Sequence, residues 1–173
     1  YIPLGPSMKQ DLPDVEYFVR FQAGGEHFVK VDNKVSRSPV SFADPQFLKV
    51  FSFPLIEGNA AYALQDPHNI ILTREKALQL FGKTSIVGKR VDLKMNDQQD
   101  RFEAFKVGGV VENIPENSSI QFDILGNFDY VLATDEGKES LGNWHMTIGI
   151  NTYVQLRKGS RLENEPERLA RFR

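Results

Sequence analysis

There is no cysteine anywhere in the 173 residues. That excludes disulfide staples, thiolate metal centres and cysteine nucleophiles together. It leaves the compartment open, because a domain with an adequate core can live in an oxidising space without disulfides. Long apolar runs are missing too: nothing approaches the roughly 18–20 residues of a bilayer-spanning helix, and no signal-peptide pattern occurs. Nor is charge of one sign in excess. Lys plus Arg number 21 against 23 Asp plus Glu, a formal net charge of −2. No basic face is concentrated enough for nucleic acid or for an anionic membrane surface.

Residues that carry chemistry are sparse and scattered. The three histidines, His27, His68 and His145, show no H-x-x-x-H spacing and neighbour no nucleophile, so structural or surface roles fit them. The acidic pairs Asp11/Asp14, Asp97/Asp100 and Asp135/Glu136 lie in solvent-favouring stretches, whereas acid–base work requires burial or close approach to separate two pKa values. Asn96 to Asp100 lacks the ligand spacing and central glycine of a calcium loop. Nucleophile signatures such as G-x-S-x-G and S-x-x-K do not occur. Gly24-Gly25 is too short to cradle a phosphate and leads into a strand. Asn117-Ser118-Ser119 matches a glycosylation acceptor only in form. Trp144, the single tryptophan, reads first as a ring laid over the edge of the core; the alternative is a contact residue. The residues by themselves imply no catalytic group, cofactor or metal.

Core material, by contrast, is plentiful: thirteen Phe, five Tyr and 40 % hydrophobic residues, enough for one domain or two closely joined lobes. After a polar lead-in with a helical turn, Tyr17 to Phe21 and His27 to Val31 read as strands, separated by a turn at Ala23-Gly24-Gly25-Glu26. A third strand runs from Val35 to Ala43 after a turn at Asp32-Asn33-Lys34, making an antiparallel meander. Asp44-Pro45 predicts a helix start, with Asp44 as cap, Phe47, Leu48 and Phe51 at helical spacing, and Pro54 as terminator. Ile70 to Leu72 reads as a buried strand. Thr73 then caps a helix with Glu75 in its first turn, Ala77, Leu80 and Phe81 on its apolar face and Gly82 at its end. Val91 to Met95 and Phe102 to Val111 predict a hairpin, with a bulge or close backbone approach at Gly108-Gly109. Ile120 to Asp129 reads as a strand, Gly137 to Gly142 as a loop or short helix, and Thr152 to Leu156 as a strand. Asn164 and Glu167 form a capping-box pattern opening a last helix. The expected class is α+β, mostly antiparallel, with two or three short helices. Starting at Tyr1-Ile2-Pro3 and stopping within Leu169 to Arg173, the chain reads as a piece of a longer protein.

One ordered set of motifs says more. Asp44-Pro45-Gln46-Phe47-Leu48-Lys49-Val50-Phe51-Ser52-Phe53-Pro54-Leu55-Ile56-Glu57-Gly58 resembles a segment of MacB-like periplasmic core domains, found in FtsX-type ABC-transporter permeases. Leu72-Thr73-Arg74-Glu75-Lys76-Ala77-Leu78-Gln79-Leu80-Phe81-Gly82 resembles the family's helix, and Ile86-Val87-Gly88-Lys89 its following turn, with Val87 departing from the pattern. Phe105 to Ser119, including Gly109, Pro115, Asn117 and Ser118, is similar to a further segment, as are Leu12 to Phe21 and Thr152 to Gly159. The versions containing Glu57 and Pro115 most resemble permeases of Bacteroidetes-type bacteria. Read physically, these motif residues are architectural: helix caps, chain reversals at Gly58 and Gly82, and core anchors at Phe47, Phe51 and Phe81.

The resemblance implies an extracytoplasmic, non-catalytic domain on the periplasmic side of the bacterial inner membrane, set between two membrane helices. It implies an ABC ATPase subunit or domain and a second permease copy as partners, with a periplasmic adaptor or outer-membrane protein as a further one. It also implies two lobes, a porter-like one from residues 1–43 with 120–173 and an inserted one from 44–119. The residues leave three functional classes in view: a permease domain for export or mechanical transmission, a sensory or scaffold domain of an FtsX-like permease that binds a ligand or activates a cell-wall hydrolase, and a freestanding enzyme.

Overall fold

The computed structural model describes residues 1–96, 101–144 and 149–172. Asp97, Asp100 and His145 therefore lie outside the described residues. In chain order come helix α1 (Leu4–Asp11), strands β1 (Val15–Val31) and β2 (Lys34–Ala43), helix α2 (Phe47–Val50), strands β3 (Leu55–Gly58) and β4 (Asn69–Thr73) and helix α3 (Arg74–Phe81). They are followed by strands β5 (Arg90–Lys94), β6 (Glu103–Val111) and β7 (Ile124–Asn127), helices α4 (Phe128–Ala133) and α5 (Asp135–Ser140), and strand β8 (Ile150–Leu156). Two 3₁₀ segments, Leu162–Asn164 and Pro166–Phe172, complete the order. The class is α+β as expected, and among the described residues six of the eight strand pairings are antiparallel; β2–β7 and β4–β6 are parallel.

Strands β1, β2, β7, β4, β6 and β5 pair in that circular order, and β5 returns to β1. The sheet is thus a closed six-stranded barrel, which satisfies its backbone groups without long free edges. Strand β8 extends β1 outside the ring, and β3 lies on β6. Alternating residues fill the interior, among them Val29, Val40, Ile70, Leu72, Val91, Leu93, Val107 and Ile124, all fully buried. The opposite face is covered too. Ile71, Val111 and Leu125 pack outward with Val19 and Phe21 against Phe47 of α2 and Ile120 of the stretch before β7. This two-sided burial explains why β4 is buried at every position.

One device lets β1 serve both faces. Its pairing with β2 slips by one residue between Gln22 and Gly25. A bulge of one residue inverts the alternation, so Val19 and Phe21 enter the outer core while Val29 and Val31 enter the barrel. The turn expected at Ala23 to Glu26 is therefore not a turn, and the three-stranded meander is one long hairpin. The glycines serve close packing instead: a Cβ on Gly24 would lie 2.2 Å from the Val40 carbonyl.

Other local expectations divide in the same way. Helix α3 begins and ends where its caps predict, whereas α2 stops after one turn because Phe51 is already extended. The strand expected from Ile120 to Asp129 narrows to β7, since Asn127 caps α4. Asn164 opens no α-helix; the last segment is 3₁₀. Among the described residues five short α-helices stand where two or three were expected. Strands from 44–119 pair with strands from both flanking segments, β4 with β7 and β5 with β1.

Candidate functional site

The motif residues are spread over the framework and do not converge on a reaction centre. Asp44 does not cap α2. Its carboxylate turns back to β1, where it accepts from the Arg20 backbone N–H (2.6 Å), Nε (3.0 Å) and Nη2 (2.6 Å). A charge-assisted fork outcompetes a cap, and the Arg20 guanidinium also lies 4.6 Å from the centroid of Phe128. Pro45 follows half-buried in the turn. Phe47 is fully buried, with Phe51, Phe53 and Phe122 rings at 5.1–5.7 Å from its own. Phe51 meets Tyr153 of β8 edge-on at 5.2 Å, so α2 is pinned to the sheet through aromatic contacts.

The second and third motifs meet around α3. The Thr73 hydroxyl accepts from the Lys76 N–H, Ala77 is fully buried, Phe81 packs on the barrel core, and Gly82 closes the helix at φ 71°. Asn113, just before Ile114-Pro115, accepts from the Glu75 N–H (2.9 Å), and Arg74 pairs with Glu112. Gly58 (φ 102°) lies against Gly108 and Gly109 across β3–β6, and Gly88 (φ 85°) ends the loop after α3. Pro115 and Ser118 close a small turn through Ser118 N–H to Pro115 O (2.9 Å), while Asn117 is exposed on it.

Sequence reasoning passed over three residues that hold this framework together. Glu57 reaches from β3 to the loop after α3, accepting from the N–H groups of Ile86 (2.6 Å) and Val87 (3.1 Å) and from the Ser85 hydroxyl (3.1 Å). Those bonds, the Ile86 N–H foremost, hold its carboxyl below the ordinary 4.5. Asn127, fully buried, donates to the Leu64 carbonyl and accepts from the Asp129 N–H, capping α4. Arg20 is the third. A lone arginine between Val19 and Phe21 of an apolar strand was the available signal.

Trp144 is 39 % exposed, and its ring centroid lies 6.4 Å from that of Tyr1. His68 has its ring in contact with Phe105 and Tyr130. Tyr130 stacks on Phe42 at 5.8 Å and donates its hydroxyl to Glu103 Oε2 (3.1 Å). Burial, reinforced by the Glu103 charge, pushes the Tyr130 phenol up to about 12. Tyr130 and Glu103 stand on the wall of an open cleft at one end of the barrel, together with His27 and the bulge of β1. Among the described residues no three of His, Cys, Asp and Glu come together as a metal site.

This fold is that of extracytoplasmic domains of ABC-type permeases. The periplasmic region of MacB from Actinobacillus actinomycetemcomitans superposes with a TM-score of 0.68 at 14 % identity, over 99 % of this chain and 72 % of that one. The extracellular domain of the noncanonic ABC-type transporter YknZ from Gram-positive bacteria gives 0.62 at 17 %, over 98 % and 79 %. A domain assigned to a permease protein of Porphyromonas gingivalis gives 0.77 at 31 %, over 97 % and 73 %. No curated protein matches. The family model for the MacB-like periplasmic core domain matches residues 2–171, and the chain belongs to that family. It is the periplasmic domain of a MacB/FtsX-like ABC-transporter permease, and no helix among the described residues is long and apolar enough to cross a membrane.

Proposed function

We propose that the domain is a non-catalytic lever on the periplasmic face of the inner membrane. It would work in a permease dimer that couples ATP hydrolysis by a partner subunit or domain to movement, for export or release. The closed barrel carries this reading. Its six strands share one hydrogen-bonded circuit, buried on both faces, so displacement at one end reaches the other with little internal compliance. Segment Pro166–Phe172 is tied to the end of α1 by Arg171–Asp11 (3.3 Å) and to the turn that follows α1 by Arg168–Asp14 (2.6 Å), so a load on either enters at the same place. The lobes 1–43 with 120–173 and 44–119 remain part of the proposal; sharing one sheet, they would tilt together. A periplasmic adaptor or outer-membrane protein would be the receiving partner.

The test uses the full-length permease with its ATPase in a bilayer. A spin label at Val35, 54 % exposed on the β1–β2 hairpin, reports the distance between the two copies. A shift of several ångströms between nucleotide-free and ATP-locked states is expected. An unchanged distance would sink the lever.

A further inference from the structure

We propose that the outer edge of β8 receives one further strand, supplied by the permease polypeptide upstream of α1. Strand β8 pairs with β1 from Ile150 to Leu156 and with no other described strand. Among the described residues no backbone hydrogen bond outside that ladder reaches it. Its far side is therefore a row of N–H and C=O groups that an extended chain can pair with.

Nothing on β8 guards that edge. Folded proteins blunt exposed edges with charge, proline or a bulge. Ile150-Asn151-Thr152-Tyr153-Val154-Gln155-Leu156 contains no charged residue and no proline. Its one irregularity with β1 falls on β1, between Val15 and Tyr17. Both faces of β8 carry apolar groups as well. Val154 and Leu156 pack with Met8 of α1 on one face, and Tyr153 meets Phe51 on the other. Apolar side chains on both faces are the mark of an interior strand.

The identity of the occupant follows from α1. Gly5 of this helix rests on the Phe18 ring of β1, where a Cβ would lie 2.5 Å from the ring. Beyond β1 the helix packs on β8. A helix that lies on a sheet and then enters a strand is the crossover of a β-α-β unit, whose two strands run parallel. On that side of β1 stands β8, which is antiparallel to it. The first place for a strand parallel to β1 is thus the open edge of β8, where it pairs antiparallel. Chain for it exists in the family: the present chain covers only 72–79 % of the three solved relatives. The inference rests on family membership and not on the lever, so either can fail alone.

Hydrogen exchange read by mass spectrometry over Ile150 to Leu156 tests this. The 173-residue chain is compared with the same chain lengthened upstream by about 15 residues of the permease, enough for a strand and its connection. The lengthened chain should slow exchange in β8 about tenfold or more. Lengthening downstream by the same amount should leave it unchanged. If the upstream extension prevents folding, the full-length permease in a bilayer replaces it, with the downstream extension kept as the control. Exchange in β8 that stays as fast as in the 173-residue chain overturns the proposal. So does protection conferred by the downstream extension. Protection in the 173-residue chain that grows with its concentration would assign the edge to a second copy, and overturns it too.

Discussion

Arg20 and Asp44, 24 residues apart, form a buried ion pair in which the guanidinium and the Arg20 backbone N–H share one carboxylate. Both side chains are about 95 % inaccessible to water. The pair fastens β1 to the junction between β2 and α2, where the family segment around Phe47 begins. Removing one partner strands a buried charge, which costs about 3–5 kcal/mol. Asp44→Ala should therefore destabilise the chain by that amount. Asp44→Asn should cost less, because its amide oxygen can still accept from the Arg20 N–H. Replacing both partners by apolar residues, Arg20→Met with Asp44→Leu, should cost less than Asp44→Ala alone. Urea unfolding of the single and double variants measures the coupling, and additive effects would contradict the picture.

What could be read from the residues is mostly what local chemistry decides. Thr73 and Gly82 delimit α3 because a hydroxyl cap and a left-handed glycine act within one turn. Gly108-Gly109 was legible for a similar reason: a Cβ on Gly108 would lie 2.0 Å from the Ala63 carbonyl. Closure of the barrel was not legible, since the parallel pairings β2–β7 and β4–β6 join distant segments. Asp44 was misread because Asp-Pro is a good local helix start, and only the folded chain brings Arg20 to it. The cleft was illegible for the same reason, its walls coming from β1, β6 and α5. The family likeness, carried by segments such as Phe53 to Gly58, reached further than periodicity could.

Tyr130 sets an alkaline limit on stability. Its phenol ordinarily ionises near 10.0, and burial beside Glu103 raises that to about 12. For an acid whose folded value is raised, the neutral form is favoured by folding. Its contribution is fully present below 10 and is lost as pH rises from 10 towards 12. Absorbance titration at the tyrosinate band should show one of the five tyrosines ionising late, and Tyr130→Phe should remove that late step while leaving the others in place. Coincident titration of all the phenols in the folded chain would refute the assignment.

The paired glycines of the β1 bulge give the sharpest steric contrast. On Gly24 a Cβ would lie 2.2 Å from both the carbonyl carbon and the oxygen of Val40, so backbone would have to move. On Gly25 the nearest atom would be the His27 ring nitrogen at 3.8 Å, an ordinary contact. Neither residue needs a positive φ, so the difference is one of space alone. Gly24→Ala should cost about 1–3 kcal/mol, the usual range for overpacking, with the bulge pushed off β2. Gly25→Ala should stay within about 0.5 kcal/mol of the parent. Thermal melts of the two variants in parallel measure this, and hydrogen exchange along Gln22 to His27 should rise only in the first. Equal destabilisation by both would mean that the bulge is not built on contact between Gly24 and Val40, and that something else inverts the faces of β1.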